Sequence, residues 1–115
     1  MEYLYVINPI LMHNKPIIIY GVGMEEKAIF YALLQQKIYV TAFCVRDGQN
    51  KVASKIFNKN VISKKELKEK YSDAQVVVAA KYAIQGCKEL EEMKITNILI
   101  DNSTLNENGI LLLGE

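Results

Sequence analysis

The run Gly21-Val22-Gly23-Met24-Glu25-Glu26 carries the clearest chemical signal in the chain. Two glycines after an apolar run and before a helical one allow a tight turn, which brings backbone N–H groups and a helix N-terminus to the point where a phosphate can bind. The third position of that fingerprint is ordinarily glycine, for close helix–strand packing, and here it is Glu26. A carboxylate there is expected to obstruct the packing; with Glu25 it opposes an incoming anion and satisfies the helix dipole by itself. The same glycines also serve a plain strand-to-helix turn without a ligand. Asp47 follows the second strand-like run, where an acidic residue takes a ribose hydroxyl, and Arg46 beside it can neutralise a phosphate. A solvated Arg-Asp-Gly turn explains the same pair. Lys81 and Tyr82 follow a later strand-like run; Tyr82 can stack on a base or simply pack at a helix start. The candidate ligand-binding residues are therefore Gly21, Val22, Gly23, Met24, Arg46, Asp47, Lys81 and Tyr82.

No catalytic set emerges beside them. His13, the one histidine, has no carboxylate or cysteine at triad or metal-ligand spacing. The two cysteines, Cys44 and Cys87, lack CxxC spacing and read as reduced core residues, one in a strand and one on a helix, so neither a disulfide nor a metal site is expected. Residues 51–70 hold seven lysines against two glutamates, a local excess that a wet helix face explains. No aromatic platform is interleaved with them to bind nucleic acid. The formal net charge of +1 gives no global attraction to nucleic acid or an anionic membrane. A receiver-type phosphorylation site fails because the first strand ends in Tyr20-Gly21 rather than in acidic residues.

The elements that must position these residues alternate. Strands are expected over 17–20, 38–45, 60–62, 75–80 and 97–100, with the stretch 51–60 a polar crossover lacking periodicity. A helix over 25–37 places Ala28, Ile29, Ala32 and Leu33 on one stripe, with Glu26, Lys27, Gln35 and Gln36 largely outside. Ser63-Lys64-Lys65-Glu66 reads as a capping box, with Ile62 and Leu67 as its hydrophobic staple. Ala83, Cys87, Leu90 and Met93 mark the stripe of a third helix, which Gly86 weakens by about 1 kcal/mol relative to alanine. Strands alternating with helices imply a Rossmann-like, doubly wound parallel sheet of order 3-2-1-4-5. At 115 residues, half apolar and 23% charged, the chain is expected to form a single α/β domain over residues 1–115, with its core at about 16–102. The flanks, 1–15 and 103–115, can add terminal strands, at residues 3–7 and after the Asn108-Gly109 turn at residues 110–113. An apolar terminal strand needs a partner, so a homo-oligomer or a partner enzyme is expected. The apolar runs are far shorter than the roughly 18 residues that span a bilayer, and Met1-Glu2-Tyr3-Leu4-Tyr5 is unlike a secretory signal, which points to the cytoplasm.

The runs Ile17-Ile18-Ile19-Tyr20-Gly21-Val22-Gly23, Val40-Thr41-Ala42-Phe43-Cys44-Val45-Arg46-Asp47 and Val61-Ile62-Ser63-Lys64-Lys65-Glu66-Leu67, with residues 74–80, form a pattern. It resembles the N-terminal Rossmann-like domain of bacterial sugar acetyltransferases of the sialic-acid and bacillosamine type and of related polysaccharide-biosynthesis proteins. That resemblance covers about residues 16–102. It implies a non-catalytic nucleotide or nucleotide-sugar binding module serving surface carbohydrate synthesis, with Gly21, Gly23 and Asp47 holding the ligand. The β-helix that transfers acetyl groups in that family has no counterpart here, and Glu26 departs from the family's small residue. Two other readings stay open: an interaction or dimerisation domain without a ligand, and a fragment of an NAD(P)-dependent oxidoreductase.

Overall fold

The computed structural model describes residues 15–50 and 53–101. The strand expected over residues 3–7, His13, the Asn108-Gly109 turn and the run 110–113 lie outside them. In chain order the elements are β1 (Ile17–Tyr20), α1 (Met24–Gln35), β2 (Ala42–Cys44), β3 (Lys55–Ile56), β4 (Lys59–Ile62), α2 (Lys64–Lys70), β5 (Gln75–Ala79), α3 (Ala83–Glu92) and β6 (Ile98–Asp101), with a 3-10 turn over Ala80–Tyr82 between β5 and α3. They build an α/β domain on one six-stranded sheet, ordered β3-β4-β2-β1-β5-β6. All pairings are parallel except that of β3 with β4.

β1 sits centrally, Ile18 lying opposite Ala42 on one side and Val76 on the other. Its four residues are all buried, as a parallel strand covered on both faces requires. The two-residue period divides them between two cores. Ile17 and Ile19 join Ile29, Phe30 and Leu33 of α1 on one face. Ile18 and Tyr20 join Leu67 of α2 and Leu90 of α3 on the other. Each such aliphatic side chain, once buried, contributes about 1.5–3 kcal/mol.

Several elements depart from the sequence reading. The buried stripe of α1 is Glu26, Ile29, Phe30 and Leu33, while Ala28 faces solvent. Phe30 outcompetes alanine because its larger apolar surface gains more from burial, and it packs on Phe43 with centroids 5.8 Å apart. The polar crossover is in fact a β-hairpin that adds a sixth, antiparallel strand at the sheet edge. Phe57 and Asn58 both adopt the left-handed conformation, φ 50° and 64°, that a two-residue hairpin turn demands. Phe57 tolerates it because its ring stacks on Phe30 at 4.9 Å. Ser63 caps α2 as half of the expected box, its Oγ accepting the Glu66 amide at 3.1 Å, while Glu66 Oε2 lies 3.7 Å from Lys70 Nζ one turn on. Gly86 has a positive role: a Cβ there would stand 2.8 Å from Val78 Cγ1, so its absence lets α3 lie close on β5.

Candidate functional site

The eight candidate residues follow the carboxyl ends of β1, β2 and β5, where open α/β sheets bind ligands, and all but Met24 are brought into contact there. Gly21 leaves β1 with φ 128° and donates its N–H to the Cys44 carbonyl at 2.6 Å. The next two amides of the turn are also engaged within the chain. Val22 N–H reaches Gln49 Oε1 at 3.0 Å, and Gly23 N–H reaches Glu26 Oε1 at 2.7 Å. Gln49 Oε1 also accepts the Arg46 amide at 3.3 Å, so one side chain ties the loop after β2 to the turn after β1.

Glu26 does not obstruct the helix as its sequence position suggests. Its side chain is fully buried and turns back over the N-terminus of α1, where the third residue of a helix can satisfy the cap amide. The carboxyl carbon lies so close to Gly21 that a Cβ on that glycine would be 2.4 Å away. Glu26 Oε2 stands 3.7 Å from Arg46 Nε, and neither atom has a hydrogen-bond partner. A further anion about 4 Å from this carboxylate would meet a repulsion of about 4 kcal/mol at an effective dielectric near 20.

The cations at this edge are also engaged. The Arg46 guanidinium lies over the Tyr82 ring, 3.6 Å from its centroid, so one ring face that could take a base is covered. Lys81 Nζ bonds Glu25 Oε2 at 3.3 Å, and that contact raises the Lys81 ammonium. The Glu25 carboxyl is held below its ordinary value, first by its own backbone N–H and then by Lys81. Val22 is half-buried against the core, whereas Met24 is 78% exposed.

Beside the turn an open cleft of about 310 Å³ is lined by Val45, Arg46, Asp47, Gly48, Gln49, Ser63 and Lys64. Lys64 Nζ spans it to Asp47 Oδ1 at 2.7 Å, a bond that raises the Lys64 ammonium. Below the cleft, Glu89 accepts the Tyr20 hydroxyl at 2.5 Å, the Asp47 amide at 3.4 Å and Gln85 Nε2 at 2.8 Å. Burial, followed by that bond to Glu89, pushes the Tyr20 phenol strongly up. Among the described residues no cluster of three or more His, Cys, Asp or Glu could hold a metal ion.

A family model described as C2185-like, N-terminal, matches residues 13–101, which include the turn, the cleft and every strand above. The chain belongs to this family. No curated protein and no solved structure matches it. No helix among the described residues of this C2185-like domain is long and apolar enough to cross a membrane. Its edge brings together Gly21, Val22, Gly23, Arg46, Asp47, Lys81 and Tyr82, but ties most of them to one another. Sequence reasoning missed Gln49 and Glu89, which reach the site from a loop and a helix with no motif to mark them, and read Lys64 only as part of the box that starts α2. Glu26 did carry a signal, since a glutamate three residues after a helix cap commonly reaches back to it.

Proposed function

We propose that this C2185-like domain is a non-catalytic, Rossmann-like module that holds a nucleotide or nucleotide-sugar in the cleft beyond β2 and β4. The observation that carries this reading is the cleft itself, with Asp47, Ser63 and Lys64 at its wall. Asp47 can accept ribose or sugar hydroxyls, the Ser63 hydroxyl can donate, and Lys64 can meet a phosphate. The fold supports it too. With the edge strand β3 set aside, the parallel strands run β4-β2-β1-β5-β6, with α1 on one face and α2 and α3 on the other, the layout of doubly wound nucleotide-binding sheets. A role in surface carbohydrate synthesis rests on the resemblance stated above. A thermal-shift panel of uridine and cytidine nucleotides, their sugar conjugates and NAD tests the reading. A ligand at ten times its Kd contributes about 1.4 kcal/mol, which raises the melting temperature by about 5 °C. That rise is expected from at least one uridine or cytidine compound and is expected to vanish in Lys64→Ala; no rise from any compound would overturn the proposal.

A second reading, an interaction domain without a ligand, is favoured by one feature. Tyr31 and Phe57, both solvent-exposed, pack ring to ring at 5.0 Å on the outside of α1 and the hairpin. Sedimentation showing a concentration-dependent dimer that Tyr31→Lys disperses, together with a silent nucleotide panel, would select this reading.

A further inference from the structure

The N-terminus of α1 offers a phosphate a favourable dipole and the Gly23 amide, and the chain has placed its own carboxylate there. Three observations converge on Glu26. Its side chain has no exposure to solvent, an unusual state for a glutamate. Its Oε1 takes the Gly23 amide at 2.7 Å, the bond that a phosphate oxygen would otherwise accept from this turn. Its Oε2, buried and without a hydrogen bond, faces the equally unbonded Arg46 Nε at 3.7 Å.

We propose that Glu26 is a resident anion that determines specificity at the glycine turn: it occupies the phosphate seat and closes it to pyrophosphate, so that a bound nucleotide keeps its phosphates out of the turn. Space and charge both act in this direction. The carboxyl group fills the volume over Gly21, where an added Cβ would fall within 2.7 Å of three Glu26 atoms. Its negative charge meets the helix dipole and Arg46, the two features that would draw a phosphate. Gly23 and Arg46 thus form a complete anion site that is already filled. The inference rests on the nucleotide reading only for the identity of the natural ligand, because the occupied seat exists with or without a ligand in the cleft.

The test is a titration of inorganic pyrophosphate followed through the backbone amide signals of Val22, Gly23 and Met24. In the unaltered chain these signals are expected to stay fixed up to 10 mM, a concentration chosen to reveal even roughly millimolar affinity. In Glu26→Ala, which vacates the seat, all three are expected to move, with affinity at least tenfold above that of the unaltered chain; adding Arg46→Ala should abolish the effect. Glu26→Gln keeps the shape and removes the charge, and serves where the alanine variant fails to fold. It should bind pyrophosphate more weakly than Glu26→Ala but above the unaltered chain. Movement of the turn amides in the unaltered chain, or a folded Glu26 variant that gains nothing, would overturn the proposal. Failure of the nucleotide panel leaves this titration readable, since Lys64→Ala silences the cleft and not the turn.

Discussion

Glu26 and Gly21 are best understood as a pair. A glycine at φ 128° is in a conformation that L side chains rarely adopt, and here the space its Cβ would need is already taken by the Glu26 carboxyl group. Gly21→Ala therefore meets a backbone penalty and a steric one, and is expected to lower stability by about 3 kcal/mol in urea denaturation. In a Glu26→Ala background the steric share disappears, so the added loss should fall to about 1–2 kcal/mol. Equal losses in the two backgrounds would show that the two residues do not touch. At this scale the site was only half legible. Arg46, Asp47, Lys81 and Tyr82 could be placed at the carboxyl edge from their positions after strands. That Arg46 stacks on Tyr82 could not, because the contact joins two loops far apart in the chain and neither carries a local signature of the other.

The ends of the helices show the same division among the elements. α1 and α3 both stop in a Schellman motif built on a lysine: Lys37 and Lys94 stand at φ 62° and 64°, and Ile38 and Ile95 donate their amides to Leu33 and Leu90. In each case the isoleucine buries against the same core as the leucine, which fixes the stop without glycine. The absence of a glycine there is why the sequence reading carried α1 two residues too far, to Lys37. Lys94→Gly is expected to stabilise the chain by about 0.5–1 kcal/mol, as the left-handed strain is relieved against some gain in unfolded-state entropy. A lower urea midpoint in that variant would mean that the lysine side chain contributes contacts of its own. The hairpin was illegible for a related reason: Phe57 is a poor residue for a left-handed turn, and only its stack on Phe30 makes the turn affordable.

Taken as a whole, the molecule has two acids buried at the end of its central strands, and they set its response to alkali. Burial pushes the Cys44 thiol up from its ordinary 9.0 to about 12. The Tyr20 phenol is raised from 10.0 by burial and by its bond to Glu89. Both folded values lie above the unfolded ones, so the stabilisation is fully present below about pH 9 and is lost as pH rises, because the unfolded chain ionises first. Lys64 and Lys81 act with the same sign at higher pH and more weakly, being partly or wholly exposed. Glu25 has the opposite sign: its lowered value stabilises the fold above the ordinary carboxylate range and is lost in acid. The urea midpoint is thus expected to be flat from pH 7 to about 8.5 and to fall steadily toward pH 11. Cys44→Ala should make the fall between about pH 9 and 10 shallower, leaving there only the weaker contribution of the partly buried Cys87, whose thiol burial also raises, until Tyr20 takes over; an unchanged profile would place the titrating group elsewhere.

Much of this architecture follows from local physics that a chain carries in its residue order. Unbroken β-branched runs require strands buried on both faces, the intervening helical periods require crossovers, and Gly21 permits the chain to turn at the end of β1. Those signals suffice for a mostly parallel α/β sheet and for the edge where its loops gather. What sits in the turn was settled only by the tertiary structure. Glu26 could have pointed to solvent as an ordinary helix-surface glutamate; it is buried because Arg46, Gly23 and the bare α-carbon of Gly21 converge on it from separate segments. The sixth strand was decided in the same way, since a left-handed Phe57 is stable only once the ring of Phe30 lies beneath it.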